Sequence, residues 1–371
     1  MKIGIMTMQR VANYGSFLQA YALKKYLEEM GNEVIFVDFM KTEIMQEEPR
    51  RKHIPRVQTI LKLLSPKKRK MLLCSKQINK RFNNEFIPQL GINNNSYGAQ
   101  CDILIIGSDQ VFSCATIHNK DGEYYKELFG YNANTNRIIS YAASFGSTTL
   151  DFIQKKGMEV ELKKLLSKFE AISVRDQNSK YMIEKLMNKT PYIHLDPVLI
   201  YDFKKEVEKE VEYSNYLLLY AYGNRFSIEE GKEIRRFAKK KNLKIMCIYG
   251  MYDWCDLHIV PTPFEALAIF KKADYVVTDT FHGTVISIKY NKKFVTFVRK
   301  RVNVGEDNKN KLGDLLSRFD LEERSMEQLS ELEEKLEKDI DYRQVNKTIQ
   351  DCQLETRKYL GQYCKMLDVK G

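Results

Sequence analysis

KIGIMTMQRVANYGSFLQAYALKKYLEEMGNEVIFVDF, residues 2–39, holds one complete strand–helix–strand unit. Lys2–Thr7 is a short apolar run, too brief and too rich in β-formers for a helix. The polar loop Gln9–Gly15 follows, and Ser16 reads as a helix N-cap. Phe17, Ala20, Tyr21, Leu23, Leu27 and Met30 then recur at helical spacing until Gly31 closes the helix. Glu33–Phe39 is the next strand. Connections this short imply a parallel, right-handed crossover.

The unit returns along the chain. Cys101–Gly107 (CDILIIG) is an apolar strand that opens into SDQVF, and Arg137–Ala143 ends at Ser144-Phe145-Gly146. Ala171–Val174 leads through Arg175-Asp176 into a helix at Ser179–Leu186, and Tyr192–Leu195 runs into Asp196-Pro197. Strands that are apolar throughout, rather than alternating, belong to a parallel sheet covered on both faces. The charged linker Asp202–Glu212 separates these from a second set. There Tyr216–Tyr222, Leu243–Tyr249, Tyr275–Thr278 and Phe294–Val298 read as strands. Ser227–Lys240, Phe264–Lys271 and Gly283–Tyr290 read as helices. From Leu321 onward Val345, Ile349, Cys352, Tyr359, Tyr363 and Leu367 keep a helical stripe, which predicts one long terminal helix packed back on the body.

The expected organisation is α/β, with two facing Rossmann-like domains. Residues 1–200 form the first and carry a basic insertion at 41–90, residues 201–320 form the second, and 321–371 form a helical segment. Ligands of open α/β sheets bind beyond the strand C-termini, so the expected site is a cleft between the domains.

Every polar cluster of interest follows a predicted strand. Thr278-Asp279-Thr280-Phe281-His282-Gly283-Thr284 is the sharpest. At a helix start, the N–H groups of Gly283 and Thr284 suit an anion, and His282 suits proton transfer near neutrality. The plainer alternative is a histidine that caps its helix. Asn13-Tyr14-Gly15-Ser16 occupies the equivalent place after the first strand, without the glycines of a dinucleotide fingerprint. Asp109 in GSDQ and Ser144 in SFG end two further strands. Arg175 offers a planar fork for phosphate or carboxylate, or a structural pair with Asp176. Arg225, Arg299 and Arg301 are similar strand-end cations, and His194 reads as a core or turn residue.

Composition narrows the function class. The 371 residues have a net charge of +11, and residues 49–70 (PRRKHIPRVQTILKLLSPKKRK) hold nine Lys/Arg and no acid. Ile54, Val57, Ile60, Leu61 and Leu64 lie at helical spacing beneath those charges, the composition of a helix resting on an anionic membrane. A solvated helix packed on the body is the alternative. No nucleic-acid-binding motif is present. No apolar run is long enough to span a membrane, and the N-terminus lacks a signal-peptide core, so a cytoplasmic location is expected. The seven scattered cysteines match neither a disulfide framework nor a metal site, and no cofactor or obligatory metal is expected.

Taken together, NYGSFLQAYAL (13–23), CDILIIGSDQVF (101–112), ISYAASFG (139–146), ISVRD (172–176), LDPVLI (195–200) and ADYVVTDTFHGTVISI (273–288) resemble the polysaccharide pyruvyl transferase family. The resemblance covers roughly residues 1–320. It implies a fold similar to GT-B glycosyltransferases with a terminal helix crossing back. It also implies transfer of pyruvate from phosphoenolpyruvate to two hydroxyls of a glycan or lipid-linked sugar as a cyclic ketal. Capsule, exopolysaccharide and cell-wall precursors are the family's usual acceptors. By motif, His282 matches the donor-site histidine and Arg175 an arginine that holds the donor. Some branches carry arginine where this chain has Thr280, which leaves Arg225, Arg299 and Arg301 as further donor cations. Asp109 and Asp279 are the carboxylates best placed as bases, and Asn13, Tyr14, Gly15 and Ser144 are expected to line the acceptor side or cleft. A nucleotide-sugar glycosyltransferase and a non-catalytic carbohydrate- or lipid-binding scaffold are the alternatives.

Overall fold

The structure is a computed structural model that describes residues 1–39, 73, 77–78, 80–92, 96–114, 124–208, 211–223, 225–250, 252–299 and 309–364. The basic run 49–70 and Arg301 lie outside the described residues.

The first domain runs β1 (Lys2–Met6), α1 (Tyr14–Glu29), β2 (Glu33–Phe36), β3 (Ile103–Asp109) and β4 (Ile138–Ala143). It continues through α2 (Leu150–Lys155), α3 (Glu159–Leu166), β5 (Ser173–Val174), α4 (Gln177–Met187), β6 (Tyr192–Ile193) and α5 (Pro197–Ile200). Its strands are all parallel, in the order β2-β1-β3-β4-β5-β6. All seven residues of β3 are buried, as a strand covered on both faces requires.

The second domain runs β7 (Tyr216–Ala221), α6 (Ile228–Lys240), β8 (Lys244–Tyr249), β9 (Leu257–Ile259) and α7 (Pro263–Lys272). Then come β10 (Tyr275–Thr278), α8 (Phe281–Lys289), β11 (Lys293–Phe297), α9 (Lys309–Ser317) and β12 (Ser325–Met326). Its parallel order, β12-β11-β10-β7-β8-β9, is the doubly wound Rossmann order. Each sheet reverses direction once, between β1 and β3 and between β7 and β10, and the loops after those strands meet across the interface. The two-domain α/β architecture expected from the sequence is the one observed.

Among the differences from the sequence reading, three matter most. Helix α1 starts at Tyr14 because Asn13, not Ser16, is the N-cap: its side chain accepts the Ser16 N–H. Strand β3 continues through Gly107 to Asp109. The segment after Leu321 is not one long helix. It supplies β12 to the second sheet, beyond the expected limit at 320, then a short helix α10 (Leu332–Glu337), and only then α11 (Tyr342–Tyr363). Arg324, fully buried, holds this stretch by donating to the carbonyls of Lys335 and Asp339.

Helix α11 does cross back onto the first domain. Tyr359 donates to the Ser140 carbonyl at 2.7 Å, and Gln353 to the Ile200 carbonyl at 2.9 Å. One apolar cluster runs through both domains, joining Phe17 and Leu18 of α1, Val198 and Leu199 of α5, and Val285 and Ile288 of α8. Two further clusters fill the outer faces, one beneath each sheet. Among the described residues no helix is long and apolar enough to cross a membrane.

Candidate functional site

The site is built from strand ends. Asp109 closes β3 with φ +73°, a left-handed conformation uncommon for a residue with a side chain. One carboxylate oxygen accepts from Arg175 Nη2 at 3.1 Å and from the Gln110 N–H at 2.9 Å, and the other from Ser16 Oγ at 3.1 Å. Arg175 follows β5 and donates through Nη1 to Asp196 Oδ2 at 2.9 Å. Asp196 follows β6, and its Oδ1 caps α5 by accepting the Val198 N–H. Three strand ends of the first sheet thus set carboxylate, guanidinium and carboxylate in a row.

The second domain completes the row. His282 lies in the first turn of α8, whose N-cap is Thr280, and its Nε2 stands 3.4 Å from Asp196 Oδ2. The imidazole rests on α1 at Gly15, where a Cβ would come within 2.2 Å of Nδ1. Only a residue without a side chain permits that approach. The ring of Phe281 covers the Arg175 guanidinium, 4.3 Å from its central carbon.

Electrostatics follow from this packing. Burial alone would raise the Asp109 carboxyl, but Arg175 and His282 outweigh it and hold it below the ordinary carboxylate range. Asp196 is held low in the same way, with His282 and Arg175 overcoming its burial. Arg175 is pushed up despite burial, because Asp109, Asp196 and Asp176 surround it.

A second ionic cluster flanks α8. The Asp279 carboxylate lies 3.6 Å from Arg225 Nη1 and 3.4 Å from Arg299 Nε. Arg299 also donates both terminal nitrogens to Glu230, at 2.9 and 3.3 Å, and packs over Phe226 and Phe297. Arg225 stacks on Tyr222 with 4.4 Å to the ring centre.

Several expected roles change in this geometry. The N–H of Gly283 is capped by Thr280 Oγ1 and that of Thr284 bonds the Thr280 carbonyl, so neither amide points at a donor. Gly283 is required instead because a Cβ would lie 2.1 Å from Thr278 Oγ1. Tyr14 is fully buried and donates to the Pro261 carbonyl, joining the domains rather than lining the cleft. Ser144 is fully buried too, donating to Asp176, which caps α4. Arg175 pairs with Asp109 and Asp196 rather than with Asp176. Asn13 reaches across the interface to the Tyr222 hydroxyl at 3.4 Å. His194 is a core residue: its Nδ1 hydrogen-bonds Ser173 Oγ, its ring stacks on Tyr141, and burial lowers it to about 4.

The residue missed in the sequence reading is Asp196. Its one signal was its place, after a strand and before proline, which also fits an ordinary helix cap.

The family model for polysaccharide pyruvyl transferases matches residues 13–301. No curated protein matches the sequence significantly. Among solved structures, a UDP co-structure of S. aureus MnaA is 12% identical with a TM-score of 0.46, covering 100% of this chain and 99% of that one. A UDP-N-acetylglucosamine 2-epimerase from Listeria monocytogenes, described as putative, is 10% identical with a TM-score of 0.49, covering 99% and 98%. Streptomyces sp. SF2575 glycosyltransferase SsfS6, complexed with thymidine diphosphate, is 12% identical with a TM-score of 0.44, covering 98% and 99%. With its motifs matched across most of its length, the chain belongs to the polysaccharide pyruvyl transferase family.

Proposed function

We propose that the protein transfers pyruvate from phosphoenolpyruvate to two hydroxyls of a glycan or lipid-linked sugar, forming a cyclic ketal during capsule, exopolysaccharide or cell-wall polysaccharide synthesis. Family membership supplies the reaction class. The observation that carries the reading is the seat of His282, an imidazole at the start of α8 held against the buried carboxylates of the opposite domain.

Protonation at C3 of the enol phosphate makes C2 oxocarbenium-like. One hydroxyl adds to C2, phosphate leaves, and the second hydroxyl closes the ring. Of the two hydroxyl protons, one is balanced by the proton gained at C3 and the other leaves with phosphate. His282 is the acid toward C3. Asp109, kept ionised by Arg175, accepts a hydroxyl proton. Arg225 and Arg299 hold the donor's carboxylate and phosphate, since both guanidinium groups retain exposure while Arg175 does not. Asp279 acts as their shared counter-ion.

The test is phosphate release from phosphoenolpyruvate across a panel of lipid-linked and soluble sugars, with mass spectrometry of the product. A mass gain equal to pyruvate less one water is expected. Turnover with UDP-sugars or CMP-sialate, and none with phosphoenolpyruvate, overturns the reading.

A lipid-linked acceptor lies at the cytoplasmic leaflet, and the nine basic residues of 49–70 support recruitment there, each contributing about 1 kcal/mol near anionic lipid. Reversing Arg50, Arg51, Lys67 and Lys68 is expected to weaken sedimentation with anionic vesicles and to leave turnover on a soluble acceptor unchanged. Binding indifferent to lipid charge and to salt removes the membrane from the reading.

A further inference from the structure

We infer that Tyr252 and Tyr222 are positioning residues for Arg225, the first fixing its backbone and the second its guanidinium, so that the donor's anionic groups meet a cation already in place. The inference rests on the reading of Arg225 as a donor-binding cation.

Arg225 lies between β7 and α6, outside any helix or strand, so no regular ladder fixes its backbone. The hydroxyl of Tyr252, between β8 and β9, does so instead. It donates to the Tyr222 carbonyl at 2.5 Å and accepts the N–H groups of Arg225 at 2.9 Å and Phe226 at 3.1 Å. A phenol has one proton and two lone pairs, and all three serve this one turn of chain. Tyr252 is buried, and burial pushes its phenol up, which keeps the proton it donates. Its ring meets Phe226 edge-on at 5.8 Å and Trp254 at 5.3 Å. Gly250 leaves room for that ring, since a Cβ there would come within 2.4 Å of it.

The guanidinium is held separately. It lies over the Tyr222 ring, 4.4 Å from the centre. That ring is itself set from two sides, edge-on to Tyr249 at 5.1 Å and with its hydroxyl accepting from Asn13 of the first domain at 3.4 Å. A cation fixed at both backbone and head loses little freedom when an anion arrives, and binding is stronger for it.

Removing a merely structural hydroxyl also lowers stability, so the experiment reads donor binding. Tyr252→Phe keeps the ring and deletes three hydrogen bonds, and Tyr222→Leu deletes the platform. Each is expected to raise donor KM about fivefold, with kcat within about twofold of wild type. In an Arg225→Ala background neither should change donor KM by more than about twofold, because both act through that arginine. An unchanged donor KM in either folded variant, or an effect undiminished without Arg225, overturns the inference. If one variant does not fold, the other decides. The Nε–H NMR signal of Arg225 in ligand-free wild type, assigned by Arg225→Ala, is expected to be shifted upfield by the Tyr222 ring and to move toward the random-coil position in both variants. A wild-type signal already at that position overturns the inference whatever the donor is. Arg225→Ala with unchanged donor KM refutes the donor site, whereas a raised KM there with wild-type KM in a tyrosine variant refutes only the positioning role.

Discussion

Two groups of arginine and aspartate meet at the domain interface, and they are built to opposite specifications. In the first-domain group, the Arg175 side chain is 2% exposed, bonded to two aspartates and roofed by Phe281. In the second-domain group, Arg225 and Arg299 are each 21% exposed and share Asp279 at 3.4–3.6 Å. Turning Arg175 toward a ligand would leave buried carboxylates uncompensated, a penalty of several kcal/mol. Arg225 can turn to a ligand anion while Arg299 stays beside the buried Asp279, so that carboxylate keeps one cation. The first group is packed as a fixture around Asp109 and Asp196, and the second, with exposure left to both arginines, is the one we propose binds the donor.

The largest effect is expected at the residue joining the two groups. His282→Ala should lower turnover about 10²–10⁴-fold while the melting temperature stays near wild type. Near-normal turnover in the purified variant would dissolve the link between the groups. Next, Arg175→Ala should destabilise the fold by about 3–5 kcal/mol in chemical denaturation, because it strands two buried carboxylates. Arg175→Ala with normal stability and a raised donor KM would reverse the comparison, making Arg175 the binding cation.

Arg225→Ala and Arg299→Ala sharpen it from the other side. Each should raise donor KM roughly tenfold, the scale of one lost charge-assisted hydrogen bond. Arg225→Ala should destabilise the fold less than Arg175→Ala, because Arg299 remains beside the buried Asp279. Unchanged donor KM in both variants would place the donor elsewhere. The smallest effect concerns acid. Asp109 and Asp196 are depressed in the folded protein, so their stabilisation is present above the unfolded carboxylate range near 4 and fades as pH falls through the lower folded values. Each contributes a slope of at most about 1.4 kcal/mol per pH unit. Denaturation curves between pH 6 and pH 3 should be flatter for Asp196→Asn than for wild type. An identical slope would mean that Asp196 is not ionised in the native state.

Strand–helix alternation was legible in the sequence because parallel strands covered on both faces must be apolar throughout, as CDILIIG and YLLLYAY are. The stretch after Leu321 was misread for a physical reason. A two-residue edge strand such as Ser325–Met326 has no periodicity of its own and exists only because β11 offers it an edge. The amides of Gly283 and Thr284 were likewise assigned to a ligand, whereas Thr280, the N-cap, takes the first through its Oγ1 and the second through its carbonyl.

His282, Asp109 and Arg175 were each identifiable from residue type and from position after a strand. That much is local: strand ends in a doubly wound sheet converge on one edge whatever lies opposite. Which of them touch was decided by tertiary structure alone. Asp196 lies 86 residues before His282, and Gly15 is 267 residues before it. Only the docking of α1, α5 and α8 brings the three together, because such contacts depend on how two separately wound sheets pack and not on any pattern within either.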